Sequence, residues 1–153
     1  MDVFMTGHAN NRLLNSVLIN LSRSFLQYLS ESSPWIRGES AAAGQSLEQL
    51  AADQRQDVRE LAEFLDAREW SVDFGSFPTE YTDLQFLSLT SLMAGLIHSQ
   101  EGQVATISEV SRTLSRSGDA EAAAILDATG SREQQILEAL RRLSVQLQPT
   151  AAV

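Results

Sequence analysis

An apolar repeat with the period of an α-helix constrains this chain more than any other feature, and it occurs in four long segments. In the first, from about Asn11 to Ser30, Leu14, Leu18, Leu21, Phe25 and Tyr28 recur three or four residues apart and share one helix face. This helix is expected to stop before Ser33-Pro34, because proline pushes its predecessor out of the helical region. The Ser/Gly/Ala-rich stretch from Ser32 to Gly44 reads as a loop. The second segment, about Ser46 to Trp70, carries Leu47, Ala51, Gln54, Val58, Leu61 and Leu65 on one face. Ser46 and Gln49 have the spacing of a capping box at its start. Its other face holds Arg55, Arg59, Glu60, Glu63 and Arg68, with Arg59 and Glu63 expected to pair. The third segment, about Thr82 to Ser115, presents Leu89, Met93, Leu96, Gln100, Val104, Ile107 and Leu114. Ser117-Gly118-Asp119 reads as a turn and a new helix start. The fourth segment, Asp119 to about Gln148, presents Ala122, Ile125, Thr129, Glu133, Ile136, Leu140, Leu143 and Leu147. Gly130-Ser131 inside it predicts a bend or a second cap.

No run shows β alternation. Four amphipathic helices predict an all-α fold, an antiparallel four-helix bundle. Its long connection is residues 71–81, which hold three aromatics, a glycine and a proline and are expected to pack across the bundle. The expected organisation is a flexible N-terminal arm over 1–10, the bundle over 11–148 and a disordered tail over 149–153. A chain of 153 residues is long enough for one such domain with its own core.

Composition narrows the chemistry. There is no cysteine and no lysine, and only two histidines, His8 and His98. Thiol chemistry, Schiff bases, Walker-type phosphate lysines and multi-imidazole sites are excluded. The net charge of −9 speaks against a nucleic-acid or anionic-membrane surface. No stretch approaches the ~20 apolar residues of a membrane span, and the N-terminus lacks a signal-peptide pattern. A cytoplasmic location is expected.

Three seams each contain one polar residue among apolar ones: Gln54, Gln100 and Glu133. Burying an unpaired amide costs about 1–3 kcal/mol, and an unpaired carboxylate more. The three are therefore expected to meet one another, a water, a metal or another chain. Asp57, one turn after Gln54, adjoins the same face.

The helix lengths, Tyr28 late in the first helix, the aromatic connection and the phrase Asp57-Val-Arg-Glu-Leu61 make the chain resemble the ferritin-like superfamily, of rubrerythrin or bacterioferritin type. The resemblance implies a bundle with a crossover between the second and third helices. It also implies a dimetal site with one Glu from each of the first and third helices and a Glu-x-x-His pair from each of the others. Here those positions fall on Leu21, on Gln54 with Asp57, on Gln100 with Glu101 beside it, and on Glu133 with Ile136. Only Glu133 keeps the family's ligand, and both histidines are replaced. The expectation is a degenerate metal site, no cofactor, and a structural or partner-binding role in place of catalysis. The alternative is a metal-binding protein or oxidoreductase holding iron or manganese on an atypical set: Gln54, Asp57, Gln100, Glu101 and Glu133.

Off the third seam, Ser91, Gly95, His98 and Gly102 form a strip of mostly small residues. Such a strip allows close approach of another helix, either within the bundle or from a second copy in a homodimer with His98 near its axis. The acidic run Asp53, Asp57, Glu60, Glu63, Asp66, Glu69 and Asp73 reads as a solvated face, and His8 as a solvated residue of the N-terminal arm.

Overall fold

The computed structural model of the chain describes residues 3–32, 41–78, 81 and 89–147. Its regular elements over these residues are all helices: α1 is Val3–Ser22, α2 Phe25–Ser32, α3 Ala41–Ala67, α4 Leu89–Arg116 and α5 Ala120–Leu147. The principal contacts run from α1 to α3 and α4, and from α5 to α3 and α4, with α2 packed on α3 and α4. No helix among the described residues is long and apolar enough to cross a membrane. Thr82, the connector over 33–40 and the tail beyond Leu147 lie outside the described residues.

The seams occupy the interior as the periodicity predicts. Leu14, Leu18 and Leu21, then Leu47, Ala51, Gln54, Leu61 and Leu65, then Met93, Leu96, Gln100, Ile107 and Leu114 are all buried. So are Ala122, Thr129, Glu133, Ile136 and Leu140 on α5.

Three helix boundaries differ from expectation. Residues 3–10 are the first turns of α1, not a flexible arm. They are held because Asn10 is buried and donates to Asp119 Oδ2 at 3.2 Å, while Ser117 Oγ donates to Asn10 Oδ1. His8, although exposed, lies edge-on to Trp70 with ring centroids 4.9 Å apart. The first predicted helix is two, broken at Arg23-Ser24. Ser24 acts as the N-cap of α2: its hydroxyl accepts from the Gln27 amide N–H at 3.2 Å, and its carbonyl accepts from Tyr28 N. The third difference is that α3 starts at Ala41, before Ser46. Ser46 therefore lies within the helix and returns its hydroxyl to Ala42 O instead of capping.

At their C-termini α3 and α4 close in the same way. Trp70 N bonds Leu65 O and Glu69 N bonds Asp66 O, while Asp119 N bonds Leu114 O. The residue that turns left-handed is Glu69 (φ 60°) in one and Gly118 (φ 84°) in the other. Both are Schellman-type ends, and only the second uses the residue that this geometry favours. Asp119 then caps α5 by accepting from Ala122 N.

No break occurs at Gly130-Ser131, and α5 is continuous. The glycine serves packing: a Cβ there would sit 3.2 Å from Ile107 Cγ2 on α4. The loop after α3 lies against α1 as expected. Buried Asn15 donates to Asp73 O and accepts from Asp73 N and Trp70 Nε1, at 2.8, 3.0 and 3.1 Å. Arg23 Nε bonds the carbonyls of Phe74 and Gly75, and Phe77 meets Tyr28 edge-on. The expected Arg59–Glu63 pair is not among the ion pairs of the described residues, and Arg59 donates to Gln56 instead.

The apolar interior falls into two clusters. One contains Phe25, Leu29, Leu47, Ala51, Met93, Leu96, Ile136 and Leu140; the other contains Leu14, Leu18, Leu21, Val58, Leu61, Ile107, Leu114 and Leu126. Along α3, α4 and α5 the boundary between them falls at Gln54, Gln100 and Glu133, and in the first apolar segment it falls at the α1–α2 break.

Candidate functional site

Gln54 of α3, Gln100 of α4 and Glu133 of α5 are each 2% exposed or less and meet in the layer between the two clusters. Gln54 Nε2 donates to Glu133 Oε1 at 2.7 Å and to Gln100 Oε1 at 3.3 Å. Gln100 Nε2 donates to Glu133 Oε1 at 2.9 Å and to the Glu133 carbonyl at 3.0 Å. A backbone carbonyl only accepts, so that last bond dictates which end of the Gln100 amide faces Glu133. The same logic fixes Gln27, whose Nε2 donates to Ala51 O and to Gln54 Oε1. Ser24 Oγ donates to the same Gln54 oxygen at 2.6 Å. With its carbonyl oxygen thus engaged, Gln54 must turn its NH2 toward Glu133.

Two further residues complete the layer. Asp57, 1% exposed, accepts at Oδ1 from Arg132 Nε at 2.5 Å, and Arg132 Nη2 bonds Glu60 Oε2 at 2.6 Å. The remaining oxygens, Asp57 Oδ2 and Glu133 Oε2, are buried and accept nothing. One proton between the two carboxyl groups satisfies both. Burial, the hydrogen bond to Asp57 and the charge of Asp57 push the Glu133 carboxyl up to about 8, against the opposing pull of the Gln100 and Gln54 N–H donors. Burial and the neighbouring Asp57 thus favour the neutral acid form of Glu133. Burial works against the charge of Arg132, but the bond to Asp57 and the charges of Asp57 and Glu60 outweigh it and raise its pKa.

The structure thus brings together Gln54, Asp57, Gln100 and Glu133 and leaves Glu101 out. Glu101 is exposed and faces Arg141 at 3.8 Å, because position 101 lies about 100° round the helix from the seam at Gln100. Leu21 and Ile136 are buried apolar neighbours. Ser24, Gln27 and Arg132 belong to the layer without having been singled out by the seams. The Ser24-x-x-Gln27 spacing, a capping-box pattern inside the first apolar segment, was the available signal for two of them. Nothing in the sequence signals Arg132 beyond its place next to Glu133.

The donor set does not fit the two cations of a ferritin-like centre. The space beside Glu133 Oε1 is faced by the hydrogen ends of two amides, and Asp57 by a guanidinium. A cation there would meet N–H groups where it needs oxygen lone pairs. Both amides are held in that orientation by their other partners. Among the described residues no group of three or more His, Asp or Glu is placed to hold a metal ion.

The strip on α4 divides in two. Ser91, Gly95, His98 and Gly102 are all exposed. Gly95 nevertheless serves the interior, since a Cβ there would sit 3.2 Å from the Phe25 ring, whereas above Gly102 the space is open.

Comparison of the chain with protein-family models, with curated proteins and with solved structures finds no match.

Proposed function

We propose that this chain is a ferritin-like antiparallel four-helix bundle without a functional dimetal site, and that its role is structural or partner-binding. In this reading α1 and α2 together are the first bundle helix, α3 the second, α4 the third and α5 the fourth. The crossover leaves α3 at Arg68 and returns at α4. The helix adjacencies and the loop laid on α1 support the assignment. The observation that carries the functional part is the direction of the amides. Gln54 and Gln100 donate to Glu133 where metal ligands would have to donate electron pairs outward. In this reading a proton and the Arg132 guanidinium balance the two buried carboxylates without a metal ion.

The layer then acts as a register device. Polar partners on three helices can be satisfied in only one axial alignment, and any slip strands a buried amide or carboxyl at a cost of about 1–3 kcal/mol each. Metal analysis of protein purified from iron- and manganese-supplemented cells tests the reading. Trace metal is expected, and about two equivalents per chain would overturn it in favour of an iron- or manganese-binding protein. The partner-binding part starts from a second copy of the chain, docked through the Gly102 end of the α4 strip. Sedimentation velocity is expected to show a dimer that Gly102→Arg dissociates. A monomer at all concentrations removes the homodimer from the proposal.

A further inference from the structure

A cleft of about 360 Å³ opens at the α1–α2 break, between that break, α3 and the loop after α3. Small-molecule sites begin at about this size. Arg55 and Arg59 are one turn apart on α3, and Arg23 lies across from them at the break; all three line the cleft. Each guanidinium is positioned by neutral acceptors. Arg55 Nη1 bonds Gln27 Oε1 at 3.1 Å, Arg59 Nη1 bonds Gln56 Oε1 at 3.0 Å, and Arg23 Nε bonds the Phe74 and Gly75 carbonyls. None of the three enters an ion pair among the described residues, whereas Arg68, Arg132 and Arg141 all do. In a chain with 20 acids against 11 bases, three arginines gathered around one opening invert the general charge. One acid, Glu31, lines the same cleft and leaves it a net positive charge.

The rest of the lining is apolar. Val58 and Ala62 run parallel to the arginine pair on α3. Phe74, also in the lining, is 46% exposed and is one of two large exposed hydrophobic side chains among the described residues. Guanidinium forks match carboxylate and phosphate oxygens, and an aromatic with aliphatic neighbours accepts a hydrocarbon body. We propose that this cleft binds a small amphipathic anion, its carboxylate or phosphate on Arg55, Arg59 and Arg23 and its apolar part on Val58, Ala62 and Phe74. The proposal is independent of the metal question, because no residue of the polar layer other than Gln27 lines the cleft.

The test titrates the full chain with octanoate, octyl phosphate, octylamine, acetate and inorganic phosphate, by calorimetry and by amide chemical-shift mapping. Saturable sub-millimolar binding of octanoate, of octyl phosphate or of both is expected, with shifts centred on residues 55–62 and 74. The stronger of the two identifies the headgroup. Octylamine, acetate and inorganic phosphate are expected to bind at least tenfold more weakly. Arg59→Gln should weaken the better ligand at least fivefold with an unchanged melting temperature, since the side-chain hydrogen bond it loses is an exposed one to Gln56. Phe74→Ser should erase most of the advantage of the octyl chain over the bare headgroup. Absence of saturable binding at 5 mM, equal binding of octylamine, shifts scattered away from the cleft, or an Arg59→Gln variant that binds as before would each overturn the proposal.

Discussion

Replacing Glu133 by glutamine converts the buried acid into a neutral group of the same shape. Its carbonyl can still accept from Gln54 and Gln100, and its NH2 can donate to Asp57 Oδ2, so the amide imitates the protonated carboxyl. The wild-type chain holds its proton in the folded state up to about pH 8, whereas the unfolded carboxyl releases it near 4.5. The folded acid is thus most favoured below pH 4.5. Its contribution to stability declines as the pH rises towards 8 and is flat beyond. Each pH unit within this window removes about 1.4 kcal/mol, so the loss between pH 5 and pH 8 is on the order of 4 kcal/mol. Glutamine does not titrate and should show no such loss. At pH 5 the two proteins are expected to differ by less than about 1 kcal/mol; at pH 8 the variant should be ahead by about 3–4 kcal/mol. Urea unfolding followed by circular dichroism at pH 5, 6, 7 and 8 measures this directly. The difference between the two proteins cancels the titrating groups that do not interact with Glu133, and leaves the buried Glu133–Asp57 pair. If the two stability curves run parallel across that range, Glu133 is ionised in the folded protein and the shared proton does not exist.

Three other substitutions probe the frame around the layer. Asp119→Ala removes the cap of α5 and a twofold bond to Arg68 (2.7 and 2.8 Å), and should cost about 2–4 kcal/mol in chemical unfolding. The bond to Arg68 holds the Asp119 carboxyl below its ordinary value despite partial burial. This stabilisation is therefore present above about pH 4, is lost on acidification below it in the wild type, and should be missing from the variant at every pH. Glu69→Gly relieves a left-handed residue at the end of α3 and should raise stability by about 0.5–1 kcal/mol, read as a higher melting temperature. Gly75→Ala combines a φ of +68° with a Cβ placed 2.6 Å from Ile19 Cγ2, and should cost about 1–3 kcal/mol and increase proteolysis of the loop over 71–78.

Gln54, Gln100 and Glu133 were legible because each interrupts an otherwise apolar seam. A polar residue at a seam position is buried wherever the neighbouring helices lie. Asp57 and Arg132 were harder. Asp57 sits beside its seam, and its burial depends on how closely α5 approaches α3, a distance that no local pattern records. Arg132 reads as a surface residue and is one by exposure; it joins the layer only because its long side chain folds back over Asp57. The break at Arg23-Ser24 escaped the periodicity because Leu21 and Phe25 keep their spacing across it. The broken seam and an unbroken one read alike, and the difference lies in where the Ser24 hydroxyl finds its partner. The acidic run on α3 shows the same limit: its residues are mostly exposed as expected, but Asp57 among them is wholly buried.

Sequence alone therefore determined the helical class, the inner face of each helix and the three residues at the centre of the layer. These follow from a 3.6-residue period, which is a property of neighbours along the chain. The tertiary structure decided who pairs with whom: that the amides point their hydrogens at Glu133, that Arg132 reaches Asp57, and that Asp57 and Glu133 are buried together, which raises the Glu133 carboxyl. Those facts depend on helices far apart in the chain being held to within a few tenths of an ångström of one separation. In a buried site, where water cannot substitute for a missing partner, such separations determine which groups carry charge.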